Sequence, residues 1–421
     1  MRLPTGKFSN DLIWSAGAFA LGALFGILVN VAIVRGYDAA ALGVFNLVYA
    51  VYILLSQLAV GGVHLAVQAF VPREIAAGRS PNTQVTASII LSTLTSAAVI
   101  AVGWIFRDLP GEWFNSQAVR EAFPLVLPGL LFFSWNKVLL SFHNGARRMK
   151  LFAAMQLLRF VFLFCSVSYM AWSEVPVSQL SVALFWSEAA LFALVLPISL
   201  RHWQPLQRAG LASVIRENWQ FGNRALAGNF LLDVNTRVDV FLLGLFTNET
   251  AIGLYSFAAT IAEGVLQLPV LFRNNINPVL SRAWHSGGPA LLSKVIIRNR
   301  RAFFRLLAPL ILLSAAVFPA VLWVFGMEEE PMTVWSIYAI LALGIALTSG
   351  YQAFQMLFGQ VGRPGTQTLF IAGFFLCNLL LNLLFIPLFG VHGSALGTAL
   401  AFVAMALLLR MLARRVLQVH M

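Results

Sequence analysis

The sequence predicts an all-α polytopic membrane protein: twelve transmembrane helices in two six-helix bundles related by a pseudo-two-fold axis along the membrane normal, around a central cavity. Three observations predict it. Of 421 residues, 59% are hydrophobic and only 10% are charged, against about 25% charged in an ordinary soluble domain. Apolar stretches of roughly 20 residues, long enough to cross a ~30 Å hydrocarbon core as helices, recur along the whole chain. Finally, the two halves of the chain resemble each other weakly. The apolar runs are continuous rather than alternating, which excludes a barrel.

The first span, 12–34, follows a short basic end (Arg2, Lys7). It is too long for a signal-peptide core and has no convincing cleavage site. Spans at 41–66, 84–106, 122–143, 151–172 and 178–200 complete the first half. The second half follows with 217–246, 250–272, 302–326, 333–358, 365–387 and 392–413. Small residues at GxxxG spacing, Gly22 with Gly26 and Gly393 with Gly397, are expected to let helices approach closely. Cys165 and Cys377 fall inside spans and are expected to be free buried thiols.

The repeat rests on three matches. "ALGVF" at 41–45 answers "AIGLY" at 251–255, "VPVSQLSVAL" at 175–184 answers "IPLFGVHGSAL" at 386–396, and Cys165 answers Cys377, all at offsets of 210 to 212. The expected bundles are therefore 1–210 and 211–421, inserted in the same orientation with a substrate path between them.

Orientation follows from Lys and Arg in alternate loops. One side carries 21 basic residues, including Arg73, Arg79, Arg147, Arg148, Arg208, Arg216 and the run from Arg273 to Arg305. The other carries Arg35, Arg107 and Arg120 with most acids, among them Glu328, Glu329 and Glu330. A multi-pass protein of the inner (cytoplasmic) membrane with both termini cytoplasmic is expected. The formal +12 charge is thus mostly topology, and a nucleic-acid partner is not expected. The segment 273–305 suits an amphipathic helix lying on the membrane surface against anionic lipid.

Eight ionisable residues lie within spans: Lys137, Arg159, Glu188, Arg224, Asp233, Arg237, Asp239 and Glu263. Each costs about 2.5–3.5 kcal/mol at the centre of a lipid-facing helix, so they are expected to face a bundle interior, paired or lining a watery space. Span 7 contains "FLLDVNTRVDVFLL" (230–243), whose strand-like alternation resolves on a helical wheel into two faces. Asn229, Asp233 and Arg237 share one face, and Arg224, Asn235 and Asp239 share the other. Lys137, Arg159 and Arg224 sit at similar depth and are candidates to hold a phosphate, Arg through its fork of donors and Lys as a point charge. Ion pairing and snorkelling are the structural alternatives. Arg237, Asn229 and Asn235 are further candidate substrate contacts. Asp233, Asp239, Glu188 and Glu263 are candidates for coupling and gating, because a carboxyl in a low-dielectric site can change charge as a cavity opens and closes. His64 and His143 read first as polar residues facing other helices. There is no His/Cys cluster at ligand spacing, no nucleotide-binding Gly-rich loop and no GxSxG. Neither metal nor nucleotide is expected, no cofactor is implied, and an ion gradient, with the proton as the candidate ion, remains the driving force to consider.

Several stretches carry a family resemblance: Tyr37 to Phe45 (YDAAALGVF), "FHNGARRMKLF" between spans 4 and 5, "GQVGRPGTQ" between spans 10 and 11, and "IPLFGVHGSALGTAL" leading into span 12. With the twelve-span layout, the chain resembles the Wzx-like polysaccharide flippases of the multidrug/oligosaccharidyl-lipid/polysaccharide exporter superfamily. The resemblance implies alternating access around a partly cationic cavity. The implied cargo is a polyprenyl-diphosphate-linked oligosaccharide, carried from the cytoplasmic to the outer leaflet for O-antigen, capsule or exopolysaccharide assembly. It also implies contact with membrane lipids and with other glycan-assembly proteins, and no enzymatic activity. The four intramembrane anions depart from a purely cationic lumen. A multidrug exporter of the same superfamily and a membrane enzyme (polymerase or ligase) acting on polyprenyl-linked glycans are the competing readings. The loop "FVPREIAAGRSPN" lacks the Gly-x-x-x-Asp-Arg signature of major-facilitator transporters.

Overall fold

A computed structural model describes the backbone of residues 7–202, 210–325 and 330–421, with the side chains of residues 7–13, 227–229 and 274 set aside. Arg2, Arg208, Glu328 and Glu329, and the side chains of Lys7 and Asn229, therefore lie outside the described residues.

Every regular element among them is helical. α1 (Lys7–Gly36) gives way to α2 (Ala39–Val60) at Tyr37 and Asp38. The Asp38 carboxylate caps α2 by accepting a 2.7 Å hydrogen bond from the Ala41 amide, and the Tyr37 hydroxyl donates to the Val175 carbonyl at 2.6 Å. The motif at 37–45 is thus a helix start pinned to a neighbouring loop. α2 ends at Gly61 and α3 (Val63–Ala76) begins after Gly62, at φ 61° and 69°, a left-handed backbone that glycine adopts without strain. A Cβ on Gly62 would also strike the Gly222 carbonyl oxygen.

The first half continues through α4 (Asn82–Ile105), α5 (Leu109–Trp113), α6 (Gln117–Val126) and α7 (Gly129–Gly145). α8 (Met149–Trp172), α9 (Val177–Leu180) and α10 (Ala183–Leu200) follow. The α6–α7 pair forms one span bent by 49°. The second half comprises α11 (Leu211–Asn235), α12 (Val238–Phe246), α13 (Glu249–Phe325), α14 (Pro331–Gln352), α15 (Leu357–Gln360) and α16 (Pro364–Leu417). α13 and α16 each join two spans across a non-helical glycine, Gly288 (φ 58°) and Gly390 (φ 55°). After Gly390 the chain doubles back so tightly that a Cβ on Gly393 would strike the Phe385 carbonyl, and one on Gly397 would sit 3.1 Å from the Asn382 nitrogen. The expected close approach at these glycines is present. Of the other pair, Gly22 abuts the Phe160 ring, whereas nothing lies within 4 Å of a Cβ on Gly26.

Eight helices, or nine with the bent pair, are long and apolar enough to cross a membrane. Dividing α13 and α16 at their glycines, and adding the α11–α12 segment, accounts for the twelve expected spans among the described residues. The half-chain repeat has a structural echo. The Asn248 side chain accepts a 2.8 Å hydrogen bond from the Ala251 amide at the start of α13, as Asp38 does for α2.

Three expectations are corrected. Span 7 is not one helix: α11 ends at Asn235 and α12 begins at Val238, with Arg237 at φ −131° and ψ 3°. The two-faced wheel therefore does not run through 236–237, and Asp233 with Arg237, like Asn235 with Asp239, are not stacked helical pairs. The short polar side chains Asp233, Asn235 and Thr236 compete with the helical backbone for hydrogen bonds at the break. The basic stretch 273–305 is not a separate surface helix, because it continues the two arms of α13 on either side of Gly288. Cys165 and Cys377 are free but not buried; Cys165 is exposed and Cys377 half-buried, since α8 buries only a narrow stripe, Ala153, Met155 and Val167.

The chain forms two compact units, Met1–Val234 and Asn235–Met421. The division between Val234 and Asn235 falls just before the break in span 7 at 236–237, and α11 up to Val234 packs with the first unit. The Arg73 guanidinium grips both oxygens of Glu217 at 3.0 and 3.3 Å, the Asn218 amide donates to Ser88 and the Gln84 carbonyl, and Phe70 meets Phe221 edge-on.

Candidate functional site

In the first unit, the polar residues of spans 4, 5 and 6 converge on one carboxylate. Glu188 on α10, its side chain 5% exposed, pairs with Arg159 on α8 at 2.8 Å. It also accepts a 2.8 Å hydrogen bond from Asn136 Nδ2, which donates at 2.9 Å to the Glu188 backbone carbonyl as well. The ring of Phe133 on α7 carries two cations, the Arg159 guanidinium at 5.0 Å and the Lys137 ammonium at 5.5 Å from its centroid. Lys137 is held differently from Arg159. It forms no ion pair among the described residues, and the charge of Asp233 on α11 attracts it from farther away. Next to this cluster, Tyr52 on α2 stacks edge-on with Phe133, and its buried hydroxyl has no hydrogen-bond partner among the described residues.

In the second unit, the break in span 7 turns three polar side chains toward partners. Arg237 pairs with Glu263 on α13 at 3.4 Å, a loose contact in which the carboxylate remains 41% exposed. The Asp239 carboxylate at the start of α12 accepts a 2.5 Å hydrogen bond from the Tyr255 hydroxyl. Asn235 accepts one from Asn378 on α16 at 3.2 Å, and the chain continues through Asn382 to Ser394 at 2.9 and 3.0 Å. Buried amides and hydroxyls are satisfied here by one another, which ties Asn235 at the end of α11 to the first arm of α16 and that arm to the second.

The site residues expected from sequence thus sort into two sets. Lys137, Arg159, Glu188 and Asp233 gather in the first unit, and Asn235, Arg237, Asp239 and Glu263 in the second. Arg224 is exposed on α11 and forms no ion pair with either set among the described residues. His64 is buried, and His143 is bonded to Ser199 at 2.9 Å, both packed as polar core residues. The residues that a search for charge passes over are uncharged: Asn136, Tyr52, Tyr255, Asn378, Asn382 and Ser394. A signal was present, because amides inside apolar spans carry nearly the same demand for partners as charges do.

Among the described residues no group of three or more His, Cys, Asp or Glu could hold a metal ion.

Beyond the spans, Glu74 at the end of α3 joins Arg73 and Arg79. The 2.7 Å hydrogen bond from Arg79, aided by the Arg73 charge, holds its carboxyl below the ordinary value of 4.5 against the opposing effect of desolvation.

Comparison with solved structures identifies the fold. The chain superposes on the lipid II flippase MurJ in an inward closed conformation with a TM-score of 0.75, at 14% identity, over 96% of this chain and 87% of that one. A multidrug resistance transporter of the MATE family in the inward-facing conformation gives 0.76 at 14% identity, covering 94% of each chain. A transporter of the same superfamily from Pyrococcus furiosus, whose binding pocket is described as reversed in polarity, gives 0.62 at 14% identity over 97% and 95%. These likenesses establish an all-α, twelve-span transporter fold. A comparison with curated proteins finds no match. The family described as polysaccharide biosynthesis protein matches residues 9–284, well over half of the sequence, and the chain belongs to that family.

Proposed function

We propose that this protein is a flippase that moves a polyprenyl-diphosphate-linked oligosaccharide from the cytoplasmic to the outer leaflet of the inner membrane by alternating access. It would serve the assembly of a surface polysaccharide, whether O-antigen, capsule or exopolysaccharide. The observation that carries the reading is Lys137: an ammonium within a membrane span that stands over the Phe133 ring and has no ion-pair partner among the described residues. An intramembrane charge kept at such cost, attracted by Asp233 but with no ion pair among the described residues, supports reading it as part of a substrate path, and a membrane diphosphate is an anion that would offset it. Arg159, two cation–π contacts away on the same ring, reinforces the field although Glu188 claims its guanidinium.

The task suits this architecture. A charged sugar headgroup is too costly to drag through hydrocarbon, whereas the isoprenoid tail can stay in the bilayer while the headgroup passes among fixed polar groups. Arg237, Asn229 and Asn235 are proposed further substrate contacts, and Arg224 an approach residue at the cytoplasmic end of α11. Asp233, Asp239, Glu188 and Glu263 are the proposed coupling and gating groups, with Glu263 favoured by its exposure. The family and the fold are those of transporters, and no enzymatic role is proposed.

The test is reconstitution with a fluorescent polyprenyl-diphosphate oligosaccharide, scored by its accessibility in the opposite leaflet. Wild-type protein is expected to translocate it, and Lys137→Met to slow it roughly tenfold or more, since a hydrogen-bonded charge contact is worth about 1.5–3 kcal/mol. No translocation by the wild type would reject the function. Full activity in Lys137→Met would reject the site.

A further inference from the structure

The first unit carries an open groove of ≈ 440 Å3 between α4 and the first turns of α11. On α4 it is lined by Leu91, Leu94 and Ala98, and on α11 by Ile215, Arg216 and Trp219. Leu94 is 64% exposed, and the same helical stripe continues through Val102 and Ile105, both large, apolar and exposed. This is a face turned to hydrocarbon. On α11 the lining residues 212, 215, 216 and 219 recur at helical spacing. They face away from Glu217, Asn218 and Phe221, which hold the helix to Arg73, Ser88 and Phe70. The helix is therefore fixed on one side, and its other side walls an apolar trough.

The trough has a charged mouth. Arg216 is exposed and forms no ion pair among the described residues. Its neighbour Glu217 does not neutralise it, because Arg73 holds that carboxylate on the far face of the helix. Trp219, 40% exposed, stands one turn on, an amphipathic ring of the kind that settles at headgroup level.

We infer that this groove binds an anionic glycerophospholipid, with an acyl chain between α4 and α11 and its phosphodiester on the Arg216 guanidinium. Two features decide the occupant. The groove opens onto a hydrocarbon-facing surface, so lipid chains are what surround it. Its lining offers one cation, which matches the single charge of a phosphodiester, whereas a polyprenyl diphosphate brings at least two charges and needs more than one Arg. The bound lipid acts as a wedge that holds the start of α11 in place, where the helix that later breaks at 236–237 begins. The inference goes beyond the flippase reading and does not require it.

The test is native mass spectrometry of the full chain released from nanodiscs containing equal parts phosphatidylglycerol and phosphatidylcholine with identical acyl chains. One phosphatidylglycerol is expected to be retained with about tenfold preference or more. Arg216→Gln is expected to reduce that preference below about twofold, the loss of one charge-assisted contact. Leu94→Trp, which fills the trough on an exposed position, is expected to lower retention of both lipids by a similar factor. Equal retention of the two lipids by the wild type, or unchanged preference in Arg216→Gln, overturns the assignment. Preferential retention of polyprenyl diphosphate over phosphatidylglycerol in a competition arm overturns the choice of ligand. Because no step measures translocation, failure here leaves the flippase test untouched, and the converse also holds.

Discussion

Each unit places an Arg–Glu pair within its membrane spans, and the two pairs are built to different specifications. Arg159–Glu188 closes at 2.8 Å with both side chains shielded, 17% and 5% exposed, and Asn136 braces the carboxylate. Arg237–Glu263 closes at only 3.4 Å, and Glu263 is 41% exposed. In the first, the second carboxylate oxygen and the neighbouring backbone carbonyl are already bonded, so separating the charges leaves several groups without partners. In the second, the contact is longer and no further hydrogen bond to the Glu263 carboxylate braces it among the described residues. The first pair has the geometry of a brace between helices and the second that of a looser contact, which ranks Glu263 above Glu188 among the proposed coupling groups.

The largest expected effect tests the brace. Glu188→Ala leaves a shielded guanidinium without its anion, and breaking a buried pair in this way costs about 3–5 kcal/mol. Thermal unfolding in a mild detergent should show the largest destabilisation of any single intramembrane substitution made here. A variant as stable as the wild type would remove the distinction between the two pairs. Tyr255→Phe ranks next. It leaves the buried Asp239 carboxylate without the 2.5 Å donor that holds it, an expected loss of about 1–3 kcal/mol in the same measurement.

The looser pair sharpens the comparison through a different readout. Arg237→Gln and Glu263→Gln, each of which keeps a polar group at the contact, are expected to cost less stability than Glu188→Ala. Translocation is expected to fall about tenfold, equivalent to about 1.4 kcal/mol on the barrier. If either variant loses several kcal/mol of stability while transport by the remaining folded protein is normal, Arg237–Glu263 is a second brace and the contrast disappears.

How far this contrast could be read from the sequence depended on the kind of signal involved. The twelve spans were legible because hydrocarbon sets the length of an apolar helix directly. The half-chain repeat was legible in "ALGVF" and "AIGLY", now seen as the first turns of α2 and α13 under equivalent Asp38 and Asn248 caps. All eight intramembrane charges were visible, but not which of them meet, because Arg159 and Glu188 are 29 residues apart and only the packing of α8 on α10 joins them. The break at 236–237 escaped the helical wheel, since neither Gly nor Pro marks it and the competing groups are ordinary short polar side chains.

The smallest effect sets a floor for both pairs, at a cluster outside the spans. Glu74 is bonded to Arg79 and Arg73, whose own side chains are about half exposed. Its carboxyl is held below the ordinary value of 4.5, mainly by the Arg79 hydrogen bond. The folded state therefore favours the charged form. The resulting stabilisation is fully present above about 4.5 and is lost as pH falls through the depressed value in the folded protein. Solvent screens these arginines, so Glu74→Gln should lower the melting temperature by only a little at pH 7, and less still in high salt. As the pH falls through the depressed value, the wild type and the variant should converge. A difference that persists unchanged in acid would mean that Glu74 acts by packing rather than by charge.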